Sequence, residues 1–259
     1  MRKTIAPLAG VALFPALASA FQPLVTDDTG TQGAGGNQLE ISYSRFVEKD
    51  PDVRATLETL PLTYTRGLSD ALDVYVGATY ARFQRTEEPE ARGAGIPAIG
   101  LKWRFHESQP DKLSLAVKPE IRRAFSSGAE DRGLGNGPLN GGVALLLSRE
   151  AGFGAAHANL SVNTFRFALE ENRELHRDIL WRLSVAPVFE LAPDWKIALD
   201  AGLITNPHKD ETATMGYIEI GAIYSPRKDL DFALGLISDV FHEGHNVYAA
   251  TAGVTWRFR

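Results

Sequence analysis

The chain has 259 residues, no cysteine and a formal net charge of −5 from 27 basic and 32 acidic side chains, which excludes disulfides, thiolate metal sites and cysteine-linked haem. The acidic balance, with no basic patch interleaved with aromatics, argues against nucleic acid as a partner. Mean hydropathy is −0.14 and no long uncharged apolar run comes after residue 20; this excludes a spanning helix there but not a β-barrel, which is apolar only at alternate positions.

Residues 1–20 have the marks of a secretory leader: Arg2 and Lys3 at the positive end, an apolar run over 5–17, and the small residues Ala18, Ser19 and Ala20 at a cleavage site. The run contains Pro7 and Pro15 and is shorter than the roughly 20 apolar residues a spanning helix needs, so the mature chain is expected to start near Phe21. Residues 21–36 have no period and read as an irregular N-terminal segment, periplasmic and at the mouth of the strand-rich region 37–259. Asp27 and Asp28 lack the ligand spacing of a calcium loop. The GTQGAGG run lacks the Lys-Ser/Thr and the adjoining helix of a phosphate-binding loop.

From residue 37 the period is two. Strands are expected over 37–47, 53–66, 72–84, 96–105, 113–124, 141–148, 154–167, 178–190, 195–205, 216–225, 230–240 and 246–258. The fifth is the clearest: Leu113, Leu115, Val117, Pro119 and Ile121 fall on one face, and Ser114, Ala116, Lys118, Glu120 and Arg122 on the other. At helical spacing those charges would surround the cylinder. Short turns at 67–70, 106–111, 149–152, 191–194 and 226–229 alternate with longer polar loops, the longest being 125–140. About twelve strands near ten residues long, joined with that asymmetry, predict an all-β fold: a transmembrane up-and-down antiparallel β-barrel over 37–259. The even count places both termini on the periplasmic side. Trp103, Phe105, Phe189, Trp195, Tyr224, Trp256 and Phe258 lie beside the short turns, where a membrane barrel carries an aromatic girdle.

Two stretches carry a family resemblance. LVTDDTGTQGAGGNQLE, from Leu24 to Glu40, and LPLTYTRGLSD, from Leu60 to Asp70, resemble the start of the outer-membrane transporters grouped as the MetA-pathway phenol-degradation family. The resemblance implies a barrel in the outer membrane of a Gram-negative bacterium that takes up small hydrophobic or aromatic compounds passively. Its implied partners are outer-membrane lipid, the barrel assembly machinery and the solute, with no cofactor. One departure is the end of the chain, Phe258-Arg259, where such barrels commonly finish on an aromatic residue.

Alternation turns Tyr75, Lys102, Lys118, Glu120, Arg122, Phe165, Arg182, Asp200, Tyr217 and Glu219 inward, and these are the candidate solute-binding residues of the lumen. Glu40, Asp73, Arg104, Lys196, Asp231 and Arg257 share that face, as do Leu146, Leu180, Ile223 and Ile237. The plain alternative is that opposite charges on neighbouring strands pair and fill a narrow barrel. Catalysis is not expected. His157, Asn159, Ser161 and Asn163 lie on one strand face and resemble the Ser-His-Asn set of outer-membrane phospholipase, but residues four apart on a strand are about 13 Å apart, beyond hydrogen-bond reach. A second functional reading is a non-conducting structural or interaction barrel that works through its extracellular loops, chiefly 125–140.

Overall fold

The computed structural model describes residues 22–49, 54–87, 89–94, 97–123, 127–130, 134–136, 139–240 and 246–259. The expected leader and loop 241–245 lie outside these, as do parts of the loops at 85–95 and 125–140. The described strands are β1 (Asn37–Lys49), β2 (Arg54–Ser69), β3 (Leu72–Arg85), β4 (Ala91–Ala94), β5 (Ala98–Ser108), β6 (Leu113–Arg123), β7 (Leu139–Ala151), β8 (Gly154–Thr164), β9 (Ile179–Ala192), β10 (Trp195–Thr205), β11 (Thr214–Arg227), β12 (Leu230–Val240) and β13 (Asn246–Phe258). Two short helices, α1 (Ser127–Glu130) and α2 (Glu170–Leu175), lie in the long connections.

All pairings are antiparallel, and β1 pairs with both β2 and β13, so the sheet closes on itself. Strands β4 and β5 both pair with β3, one through Tyr80↔Ala94 and the other through Gly77↔Ala98. They act as one spanning strand in two pieces, which makes a barrel of twelve. Closure leaves no strand edge, the condition for placing a sheet in hydrocarbon where no water bonds a free N–H or C=O.

The alternation read from the sequence sorts the two faces of the wall. Leu62, Leu145, Ile220 and Leu234 are exposed on the outside, Leu234 at 64 %. Aromatics ring the short-turn end: Trp195 stacks on its cross-strand partner Tyr224 at 4.7 Å, and Trp256 lies 4.6 Å from Phe258. Tyr43, Tyr80, Trp181 and Tyr248 stand exposed on the same outer face nearer the long loops. Amphipathic rings at two levels bracket an apolar band, the arrangement a bilayer requires.

The interior has two halves. Toward the long loops, Phe46, Leu57, Phe83, Ile204, Met215 and Ile237 are buried together, joined by Leu134 from the connection after β6. The loops above are tied to one another. Glu130 of α1 accepts hydrogen bonds from the backbone N–H groups of Ala168 (2.8 Å) and Leu169 (2.9 Å) and from Asn172 Nδ2 (3.1 Å), satisfying donors at the start of α2. The Arg177 guanidinium donates to the carbonyls of Asn206, His208, Lys209 and Glu211. His176 is fully buried, its ring 4.6 Å from both Phe167 and His208. Toward the short turns the interior is polar, and the N-terminal segment occupies it.

Candidate functional site

Residues 22–36 cross the inside of the barrel, and the wall is shaped to take them. A Cβ on Gly221 would lie 2.4 Å from Pro23 Cγ, so only a glycine lets the segment approach there. Leu24 packs on Ala186, Val188 and Ala198, small residues of β9 and β10. Gly33 and Gly35 take φ of 71° and 80°, a left-handed backbone that turns the chain out of the lumen and into β1.

Polar bonds hold the segment from both sides. On β10 and β11, Asp200 accepts from the Thr26 N–H (2.6 Å), the Thr26 hydroxyl (2.8 Å) and the Tyr217 hydroxyl (3.0 Å). Glu219 accepts from the Val25 N–H at 3.2 Å. On β5 and β6, Lys102 and Lys118 reach the two oxygens of the Asp27 carboxylate at 3.0 and 2.5 Å. Asn159 clamps the Asp27 backbone when its amide is turned to donate to the carbonyl (2.9 Å) and accept from the N–H (2.6 Å). The wall carboxylates thus take backbone N–H groups, and the wall ammoniums take a side-chain carboxylate. Burial alone would raise the Asp27 carboxyl, but the two ammonium groups outweigh it and hold that group below the usual carboxylate range.

A polar ladder continues up β3 and β6. The Lys118 ammonium sits 5.0 Å over the Tyr75 ring, the Tyr75 hydroxyl donates to Glu120 at 3.0 Å, Glu120 pairs with Arg122 at 3.2 Å, and Arg122 donates to Asn163 at 2.9 Å. Tyr75 and Tyr217 each lie across a glycine directly opposite in the ladder, Gly100 and Gly202. A Cβ there would come within 2.3 and 2.5 Å of the rings. Glycine lets the rings lie flat along the wall, with their hydroxyls on carboxylates.

Two cavities flank the segment. One of about 520 Å³ opens at the short-turn end, lined by Glu40, Asp73, Lys102, Asp231 and Arg257 among others. The second, about 50 Å³, is lined by Glu120, Leu146, Asn159, Ser161 and Arg182. Asp27, Tyr75 and Lys118 line both, so these three residues are the waist of the lumen.

Of the residues singled out from the sequence, Tyr75, Lys102, Lys118, Glu120, Arg122, Arg182, Asp200, Tyr217 and Glu219 lie on the inward face of their strands. Phe165 does not belong with them. β8 ends at Thr164, one residue short, and the Phe165 ring sits edge-on to Phe167 at 4.9 Å in the loop cluster around His176. Cross-wall pairing accounts for Arg257 with Asp231 at 2.7 Å, whereas Lys102, Lys118, Asp200 and Glu219 bond to the segment instead. Thr26 and Asp27 lie in the segment without a period and so escape alternation, whereas Ser148 shares the inward parity of Leu146 on β7 but carries no charge to mark it. Ser148, not Ser161, is the serine that His157 meets: Ser148 Oγ lies 2.8 Å from His157 Nδ1 across the β7–β8 pair and accepts from the Thr29 N–H at 3.0 Å. Among the described residues, no group of three or more His, Asp or Glu is placed to hold a metal ion.

No family model and no curated protein sequence matches the chain. Among solved structures it is similar to an outer membrane channel from Pseudomonas putida F1, with a TM-score of 0.74 and 12% identity over 91% of this chain and 100% of that one. It is also similar to the NanC porin, with a TM-score of 0.55 and 11% identity over 83% of this chain and 98% of that one. The CymD monoaromatic hydrocarbon channel gives a TM-score of 0.51 and 8% identity over 88% of this chain and 90% of that one. At these identities the likeness is one of fold, and the chain has the closed antiparallel barrel found in outer-membrane channels and porins.

Proposed function

We propose that this chain is an outer-membrane channel for passive uptake of small hydrophobic or aromatic compounds, of the phenol-degradation type that its N-terminal sequence resembles. In this reading the leader directs export, the short turns face the periplasm and the long loops face outward. The observation that carries it is the pair of cavities meeting at Asp27, Tyr75 and Lys118. A barrel filled only for stability has no need of space on both sides of one ion pair. The apolar half of the lumen, with Phe46, Phe83 and Met215, offers surface to an aromatic body.

The test is entry of solutes into liposomes carrying the refolded mature protein, comparing phenol-sized aromatic carboxylates with sugars of similar mass. Faster entry of the aromatics is expected, and equal entry of both would make the chain a general porin. The dense anchoring of residues 22–36 favours one other reading, a non-conducting interaction barrel working through its extracellular loops. No entry of either solute from a well-folded barrel would establish that reading and overturn the channel.

A further inference from the structure

We infer that the waist of the lumen is a carboxylate-binding site in two adjoining parts: Lys102 and Lys118, which hold the protein's own Asp27 carboxylate, and Arg182 with Ser161, which take the carboxylate of an entering solute that then replaces Asp27. This inference rests on the channel reading above and names its solute class, a monocarboxylate on an apolar body.

Asp27 shows what the basic wall binds. Its two oxygens take one ammonium each, at 3.0 and 2.5 Å, and both lysine side chains are largely buried. Beside this pair, on the long-loop side, Arg182 of β9 stands directly opposite Ser161 of β8. Among the described residues none bonds to Arg182 Nε or to Ser161 Oγ, although both atoms are buried. A guanidinium N–H and a hydroxyl converging on one small space form the donor set that a planar carboxylate takes. The cavity they share with Asp27 and Lys118, about 50 Å³, has room for that head group, with Leu146 on its wall for the apolar body. The carboxylates near it are hydrogen-bonded to other groups: Glu120 to the Tyr75 hydroxyl, with Arg122 as its ion-pair partner, and Asp200, whose charge also acts on Arg182 without a hydrogen bond to its Nε, to Thr26 and Tyr217.

The arrangement works as an exchange. An entering carboxylate held by Arg182 and Ser161 replaces Asp27 on Lys118, so the buried ammonium groups are never left unpaired. A cation or a neutral solute that moves the segment leaves them unpaired, a handicap on the order of a hundredfold or more. The side chain of Asp27 is therefore both the closure of the waist and a competitor of the solute.

The test compares uptake of benzoate and benzylammonium, equal in size and opposite in charge, by liposomes carrying the full mature barrel, with folding checked by heat-modified gel migration. Saturable benzoate entry is expected, with benzylammonium at least tenfold slower. R182Q and S161A should each raise the half-saturating benzoate concentration by about tenfold or more, the range for a hydrogen bond to a charged group. D27N should lower the half-saturating concentration several-fold, because the competitor has lost its charge. Benzoate binding to the detergent-folded protein, read from the carboxyl ¹³C shift, should show the same order. If benzoate enters but neither R182Q nor D27N changes its half-saturation, the carboxylate site is overturned and the channel stands. If neither solute enters through folded barrels, both readings fall.

Discussion

Replacing Asp200 by alanine should release the N-terminal segment and leave the barrel in place. The carboxylate accepts from the Thr26 N–H at 2.6 Å, the Thr26 hydroxyl at 2.8 Å and the Tyr217 hydroxyl at 3.0 Å. In the variant the Thr26 hydroxyl keeps Ser184 at 2.8 Å, while the Thr26 amide and the Tyr217 hydroxyl lose this acceptor. A hydrogen bond to a charged group contributes about 1.5–3 kcal/mol, and water reaching part of the site offsets some of that. A net weakening of roughly 3 kcal/mol in docking corresponds to about two orders of magnitude in the equilibrium between docked and released segment. Hydrogen exchange on the refolded protein reads this directly. The Val25 and Thr26 amides should exchange about a hundredfold faster in D200A, while the β10 amides, paired with β9 and β11 through the backbone, keep their protection. Equal exchange at Thr26 in both proteins would refute the reasoning. So would loss of protection along β10, which would make Asp200 a residue of the wall rather than of the docking site.

Three further outcomes rest on the same geometry. Gly221→Val places a side chain where a Cβ already meets Pro23 Cγ at 2.4 Å, so exchange at Leu24 and Val25 should rise at least tenfold while the heat-modified band of the folded barrel is retained. Burial, with lesser contributions from His208 and Lys209, holds His176 below the ordinary histidine value. A base whose folded pKa is depressed favours folding fully above its unfolded value of about 6.5, and loses that contribution as pH falls from there toward the folded value. Exchange protection over 165–178 and 206–211, corrected for intrinsic rates, should therefore be lower at pH 5 than at pH 7.5, and a pH-independent cap would contradict this. Leu234→Arg puts a charge on the outer face at a position 64 % exposed. In lipid vesicles it should destabilise the barrel by about 2–4 kcal/mol in urea unfolding, and no effect would mean that this face does not meet hydrocarbon.

The barrel is largely legible in the sequence because lipid on one side and a polar lumen on the other force strict alternation. The faces read from Leu113 to Ile121 are those of β6, with Ala116 fully buried and Ile121 exposed. Strand ends are less legible. Parity carries on past Thr164 to Phe165 and Phe167, but the chain leaves the wall there because both rings pack around His176, a contact between loops that no local pattern encodes. The apolar half of the lumen obeys parity: Ile237 and Tyr217 are read as inward from the sequence, and Phe46 shares its face with Glu40 and Ser44. The waist is the part alternation could not give. Residues 22–36 have no period, and their bonds to Lys102, Lys118, Asp200 and Glu219 span from 75 to 194 residues. The one sequence-level hint is a pair of acids in an otherwise uncharged segment, set against a strand pair carrying Lys102 and Lys118.

That the lumen is a passage closed at its waist by residues 22–36 is tested most directly by single-channel conductance in planar bilayers, comparing the wild type with D200A. Small conductance steps are expected for the wild type and clearly larger, longer-lived ones for the variant, whose segment is loosened. Wide, permanently open steps of equal size in both proteins, or no conductance in either, would contradict a closed waist.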